Sequence, residues 1–378
     1  MRNLALTTVF LALTISITAH SAELMKRFGY GMNYAWRNYA GDFGGIDTWG
    51  KRGVSEQPAE YLSELKEMAD HGVEVVRWWV WPEFWTDSIR FSEDGTAEVI
   101  DQQAIQDGLK ALELADQAGV RLMLCLFSFD GFRPTRERYG ITMSGYHDTV
   151  IDHNRRTALM ENVVRPFVRA LGASPYRKSL HSWDVINEPE WAVHGNNRHG
   201  GQPFVPDSEL QTITHQQMEG FIADTIDVLR RETPDVPITV GSAAIHWVDA
   251  WAEMDTDFYQ ANFSNWASED WPYTLSPADF GVEDKPLVIG GYPVEGLDNA
   301  DHTTLLNSWY SSGYAGALGW DFRLTHSPGV SKKLIDVKRA GYLREYESFV
   351  LSAVNGLITV PDAAVMQKKP GRIDTATN

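Results

Sequence analysis

Short apolar runs alternate along the chain with longer stretches in which apolar residues recur every three or four positions. The runs read as buried strands and the longer stretches as amphipathic helices. Strands are predicted over 28–33, 73–79, 120–127, 180–187, 237–241, 257–263, 286–290 and 315–320. Helices are predicted over 58–71, 101–118, 152–171, 207–232, 301–312 and 332–356. In the first of these helices Leu62, Leu65, Met68 and Ala69 set the spacing, and Gly72 is a natural stop. Asp94-Gly95 marks a small inserted hairpin over 89–100. Eight strands alternating with helices predict a parallel (β/α)8 TIM barrel rather than a sandwich.

The N-terminal segment changes the picture at one end. Residues 1–22 combine Arg2, an apolar run from Leu4 to Ile17, and the small residues Ser21 and Ala22. That is the pattern of a secretory signal, too short to be read as a membrane span. One barrel domain over 23–360 and a polar tail over 361–378 complete the expected organisation of a secreted or periplasmic, monomeric protein. The single cysteine, Cys125, lies inside a predicted strand and reads as a buried core thiol, so no disulfide framework is expected. A net charge of −18 argues against nucleic acid or anionic membrane surfaces as partners, while leaving neutral polymers open. Fourteen tryptophans supply rigid planes that suit the flat C–H faces of sugars, or simply fill a core.

The most informative stretch is Trp183-Asp184-Val185-Ile186-Asn187-Glu188-Pro189-Glu190-Trp191. Pro189 withdraws a backbone donor and ends the strand ladder. Asn187 and Glu188 are thereby left at the carboxyl end of a strand, the catalytic face of a parallel barrel. Apolar neighbours raise a carboxyl pKa, so a glutamate there can stay protonated and act as general acid. The bland alternative is a turn with a solvated glutamate.

Trp-x-x-x-Asn-Glu-Pro resembles the acid/base motif of clan A glycoside hydrolases, such as the family 5 cellulases and mannanases. The resemblance implies that Glu188 is the acid/base and that Asn187 contacts the sugar. It implies that Arg77, closing strand two, holds the nucleophile ionised, and that Trp320, closing strand eight, floors a sugar subsite. Trp36, Trp79 and Trp191 are further cleft candidates, with Trp78, Trp81, Trp85 and Trp271 also near strand ends. Strand seven of such proteins ends in Gly-Glu and an aromatic, the glutamate being the nucleophile. Here Gly290-Gly291-Tyr292 stands in its place, so the nucleophile position, Gly291, is vacant. Strand six departs as well, with Asn262-Phe263-Ser264 where a histidine and a tyrosine are usual.

Glu295, Asp321 and Asp130 are the alternative second acids. One of them standing roughly 6.5–9.5 Å from Glu188 would permit inverting hydrolysis. Two readings follow. In one the chain hydrolyses a β-linked polysaccharide, a mannan or β-glucan. In the other it is a glycan-binding barrel that cleaves nothing. A carboxylate facing Glu188 separates them. No cofactor is expected, and His194 and His199 match no zinc spacing. The long loop after strand three carries Arg133, Arg136, Arg138 and Tyr146, to which no role falls.

Overall fold

A computed structural model describes residues 29–84, 87–143, 145–294 and 300–323. Eight strands close into a barrel: β1 (Gly29–Asn33), β2 (Val75–Trp79), β3 (Arg121–Ser128), β4 (Leu180–Asn187), β5 (Ile238–Ser242), β6 (Tyr259–Asn262), β7 (Leu287–Pro293) and β8 (Gly316–Trp320). Every strand pairs in parallel with its neighbours in sequence, and β1 closes on β8 through Gly29 opposite Gly316. The (β/α)8 expectation is met. A sheet closed on itself and covered by helices is buried on both faces. Hence all eight residues of β4 are buried.

Helices α1 (Pro58–Asp70) and α2 (Gln102–Ala118) cover the first strands. Asp101 caps α2 by accepting from Gln103 N, and left-handed Gly119 ends it. Two helices depart from expectation. The stretch 152–171 is not one α-helix, because a π-turn (Met160–Val164) separates His153–Leu159 from Arg165–Gly172. Pro166 offers no N–H to an α ladder, and the wider turn absorbs the loss. The helix expected over 207–232 begins only at His215 and runs to Glu232 (α3). Thr214 caps it through a reciprocal box with Gln217, and Ile213–Thr214 pairs with Val193–His194 instead of coiling. The loop after β3 carries an unforeseen hairpin, Arg136–Arg138 with Ile141–Met143. Helix α4 (His302–Ser311) covers β7. The signal segment, the helix expected over 332–356 and the tail lie outside the described residues.

Two bulges position the site. Asp184 pairs with Thr239 but Asn187 with Gly241, so β4 carries one extra residue against β5. Residues three apart on a regular strand face opposite ways, and the bulge turns Asp184 and Asn187 to the same side. Strand β7 does the same: Ala261 pairs with Ile289 and Asn262 with Gly291. A Cβ on Gly290 would lie 2.5 Å from the Gln260 Cγ, so glycine is obligatory there.

Candidate active site

Asn187 and Glu188 emerge together at the carboxyl end of β4. Glu188 adopts left-handed backbone angles (φ 50°, ψ 50°), rare for a side-chain-bearing residue, and its N–H still reaches the Gly241 carbonyl at 2.5 Å. The turn that follows, Pro189–Ala192, carries the chain away from the barrel. The Glu188 carboxylate accepts from Asn262 Nδ2 (2.6 Å) on one oxygen and from Trp191 Nε1 (2.8 Å) on the other. Burial raises its pKa, opposed by those two hydrogen bonds and by the Arg77 charge, and assisted by Asp130. The group is biased toward keeping its proton, as a general acid requires.

Arg77 lies beneath the cleft, wholly buried, and does not line it. Its guanidinium donates to Asp184 through Nε (2.9 Å) and Nη2 (2.6 Å), to Asn33 Oδ1 (3.1 Å) and to Asn187 Oδ1 (2.9 Å). The expected partner at strand seven is replaced by Asp184, and Arg77 reaches the site by orienting Asn187, by lying 5.6 Å from the Trp79 ring centroid and through its charge on Glu188. Asn262 completes this link, donating to Asn187 Oδ1 at 3.2 Å as well as to Glu188.

The cleft, about 490 Å³, is lined by Trp36, Trp79, Asp130, Asn187, Glu188, Asn262, Gly291 and Trp320 among others. Trp36, Trp79 and Trp320 pack on one another, with ring centroids 5.4 Å apart for Trp36–Trp79 and for Trp79–Trp320. Trp191 is not among these lining residues; it packs against Trp247 and the exposed Trp266 and meets the cleft through its hydrogen bond to Glu188. Two buried polar atoms on the lining, Trp79 Nε1 and Asn262 Oδ1, have no hydrogen-bond partner among the described residues. Polar atoms of that kind face a ligand more readily than a core. Trp78, Trp81 and Trp271 are core residues, all fully buried. Trp78 donates to Asp42 (2.9 Å), which also accepts from the Arg37 and Asn38 N–H groups and so fixes the loop bearing Trp36.

Gly291 opens onto the cleft, and a Cβ there would meet nothing nearer than Asn262 Oδ1 at 3.3 Å. Tyr292 turns the other way. Its ring is buried against Trp309 and His302 of α4, with its hydroxyl 3.2 Å from His302 Nδ1, although the residue is among those lining the cleft. Of the three alternative acids, Asp130 lines the cleft, held by Ser128 Oγ at 3.2 Å and facing Arg133 Nε at 3.5 Å. Asp321 is buried and lines no part of it. Glu295, like Trp85, lies outside the described residues.

His199 meets His215 and Glu219, with ligand-type atoms within 4.8 Å of one another. Both His215 ring nitrogens are engaged, Nδ1 accepting from the Arg198 N–H (3.1 Å) and Nε2 facing the Ala250 carbonyl (3.1 Å). The cluster reads as a clamp on the loop after β4 rather than a metal centre.

Glu190 went unnoticed in the sequence, where nothing distinguishes it from a loop acid. It is fully buried, accepting from Trp251 Nε1 (2.6 Å) and Ala243 N (3.0 Å), and joins the turn after Glu188 to the loop after β5. Burial pushes its pKa up to about 7, from 4.5. Below pH 4.5 folded and unfolded chains both hold this proton. As pH rises toward 7 only the folded chain keeps it, so stability falls across that window, by about 3 kcal/mol for this group. Glu190→Gln should flatten that part of the pH profile. Melting temperatures of both proteins from acid to neutral pH check this, and a constant difference between them would refute it.

No family model matches the chain. It is 25% identical over 333 residues to a mannan endo-1,4-beta-mannosidase of Cryptopygus antarcticus, covering 79% of this chain and 81% of the relative. It is 23% identical over 327 residues to the enzyme of that name from Mytilus edulis, covering 77% and 82%. The chain resembles the family 5 β-mannanases. The crystal structure of the Cryptopygus antarcticus beta-1,4-D-mannanase superposes with a TM-score of 0.69 at 21% identity, covering 85% of this chain and 90% of the other. At that identity the superposition speaks for the fold. Among the described residues no helix is long and apolar enough to cross a membrane.

Proposed function

We propose that the chain is an exported glycoside hydrolase acting on β-1,4-linked mannan, with Glu188 as the proton donor to the leaving sugar oxygen. The mannanase relatives support the substrate, and the signal-like residues 1–22 support export. The observation that carries the chemistry is the Glu188 carboxyl, set at the floor of a tryptophan-walled cleft and oriented by Asn262 and Trp191. With no carboxylate at 291, attack falls to a water. Asp130 is the other carboxylate among the described lining residues and the group available to activate that water. Gly291 favours a second reading, in which the cleft binds mannan without cleaving it. Incubating the protein with mannan, β-glucan and xylan and measuring new reducing ends tests both. Products from mannan support hydrolysis. Binding without products supports the second reading, and neither binding nor products would overturn both.

Trp320→Ala should weaken binding of a manno-oligosaccharide by about 1 kcal/mol, if the half-buried ring is a sugar platform. Titration calorimetry checks this. Equal affinity for the variant and the parent would make Trp320 a packing residue only.

A further inference from the structure

Asn262 closes β6 opposite Gly291 of β7 and is only 8% exposed. Its neighbours fix which way round the amide stands. Arg77 carries donors alone, so the atom it meets on Asn187, at 2.9 Å, is the oxygen. That oxygen takes a second donor, Asn262 Nδ2, at 3.2 Å. The same nitrogen donates its other hydrogen to Glu188 at 2.6 Å. Turning the amide over would set its oxygen against the Asn187 oxygen. Asn262 Oδ1 therefore faces Gly291, where a Cβ would lie 3.3 Å from it. This oxygen has no hydrogen-bond partner among the described residues. The donors nearest to it are engaged elsewhere. Asn33 Nδ2 serves the Gly290 carbonyl (2.8 Å), and Arg77 serves Asp184, Asn33 and Asn187.

An acceptor buried without a donor is costly, and the cleft is the side from which a donor can arrive. An amide oxygen calls for an O–H there. A side chain at 291 would fill the space beside it, whereas glycine leaves that space open to the cleft. The other arm of the same amide holds the proton donor. A water at hydrogen-bond distance from Oδ1 would stand roughly 5–7 Å from the Glu188 carboxyl, which leaves room for an anomeric carbon and its glycosidic oxygen between them.

We propose that Asn262 is a catalytic residue that holds the attacking water over Gly291, a role that rests on the hydrolase reading of the cleft. Its Oδ1 accepts one hydrogen of the water while its Nδ2 fixes the acid, so one amide aligns nucleophile and proton donor. The water oxygen bonds to the anomeric carbon as the glycosidic C–O bond breaks. The Glu188 proton goes to the leaving oxygen, and the second water proton goes to Asp130.

The test compares mannan with a dinitrophenyl β-mannotrioside, whose leaving group needs no proton. On the activated glycoside Glu188→Gln keeps most of its turnover. Asn262→Ala instead loses roughly tenfold or more in kcat on both substrates, the worth of one hydrogen bond at the reacting centre. Gly291→Ala does the same, because its methyl group takes the place of the water without touching Glu188. Its melting temperature stays near that of the parent, so it decides the outcome if Asn262→Ala fails to fold. The first product carries the inverted, α configuration by NMR. A loss confined to mannan would mean that Asn262 acts only through Glu188, and would overturn the water site. Turnover of Gly291→Ala equal to the parent, or a retained configuration, would overturn it too. A parent that cleaves neither substrate would overturn the hydrolase reading and the water site with it.

Discussion

Gly291→Glu should confer retaining hydrolysis of β-1,4-mannan, at a rate on the order of 10²-fold or more above the parent, comparable to one well-placed catalytic group. The β7 bulge makes the substitution sterically accessible. Gly290 must remain glycine because Gln260 fills the space beside it, whereas a Cβ at 291 asks only a few tenths of an ångström from the Asn262 amide. A glutamate there would project into the cleft beside Asn262, which itself holds Glu188. Retaining chemistry needs its two carboxyls roughly 5–5.5 Å apart. Asn262 is both the support and the obstacle, so a modest gain would point to its amide being displaced from Glu188. Azide offers an independent check on the parent protein, since a small anion can enter the space a side chain would fill. With an activated aryl β-mannoside the expected product is the α-glycosyl azide. A silent variant and no azide product, together with inverting cleavage by the parent, would remove position 291 from the mechanism and leave Asp130 as the acid to replace.

Glu188→Gln should lower hydrolysis of unactivated mannan by roughly 10²–10⁴, the usual worth of general acid help. Shape is kept and one acceptor survives for Asn262 or Trp191, so melting temperature and mannan affinity should change little. The loss should shrink on substrates whose leaving group needs no proton. In the parent, kcat should fall as pH rises through the raised Glu188 pKa, and that limb should vanish in the variant. Unchanged turnover on mannan would exclude Glu188 as the proton donor.

The barrel was legible because strand-like runs alternate with helically spaced ones and Pro189 marks where β4 must stop, and the observed strand has the expected bounds, Leu180–Asn187. What the sequence hid was the direction of side chains after a bulge. Period-two alternation predicts neither that Asp184 and Asn187 share Arg77 nor that Tyr292 turns into the helical layer. Arg77 was legible as a cation at a strand end, but not its partner, because Asp184 lies 107 residues away and no local pattern joins the two. The tryptophans sort by a feature no spacing records: Trp78 is anchored in the core by Asp42, whereas Trp79, one residue later, faces the cleft. The hairpin at 136–143 was read as loop because its strands are three residues each, too short for alternation to show.

The Arg77–Asp184 pair also bears on the order in which the barrel can be assembled. Asn33, Arg77 and Asp184 all precede residue 190, and only the neutral Gln260, which donates to Asp184 at 3.0 Å, arrives from the second half of the chain. A nascent chain that has emerged only as far as β4 already contains both members of its central ion pair. The first four strands can therefore dock without stranding a charge in a half-closed interior, where an unpartnered ion is strongly destabilising. The last four strands carry amides, hydroxyls and apolar side chains but no charged group, so ring closure is delayed by topology and not by electrostatics.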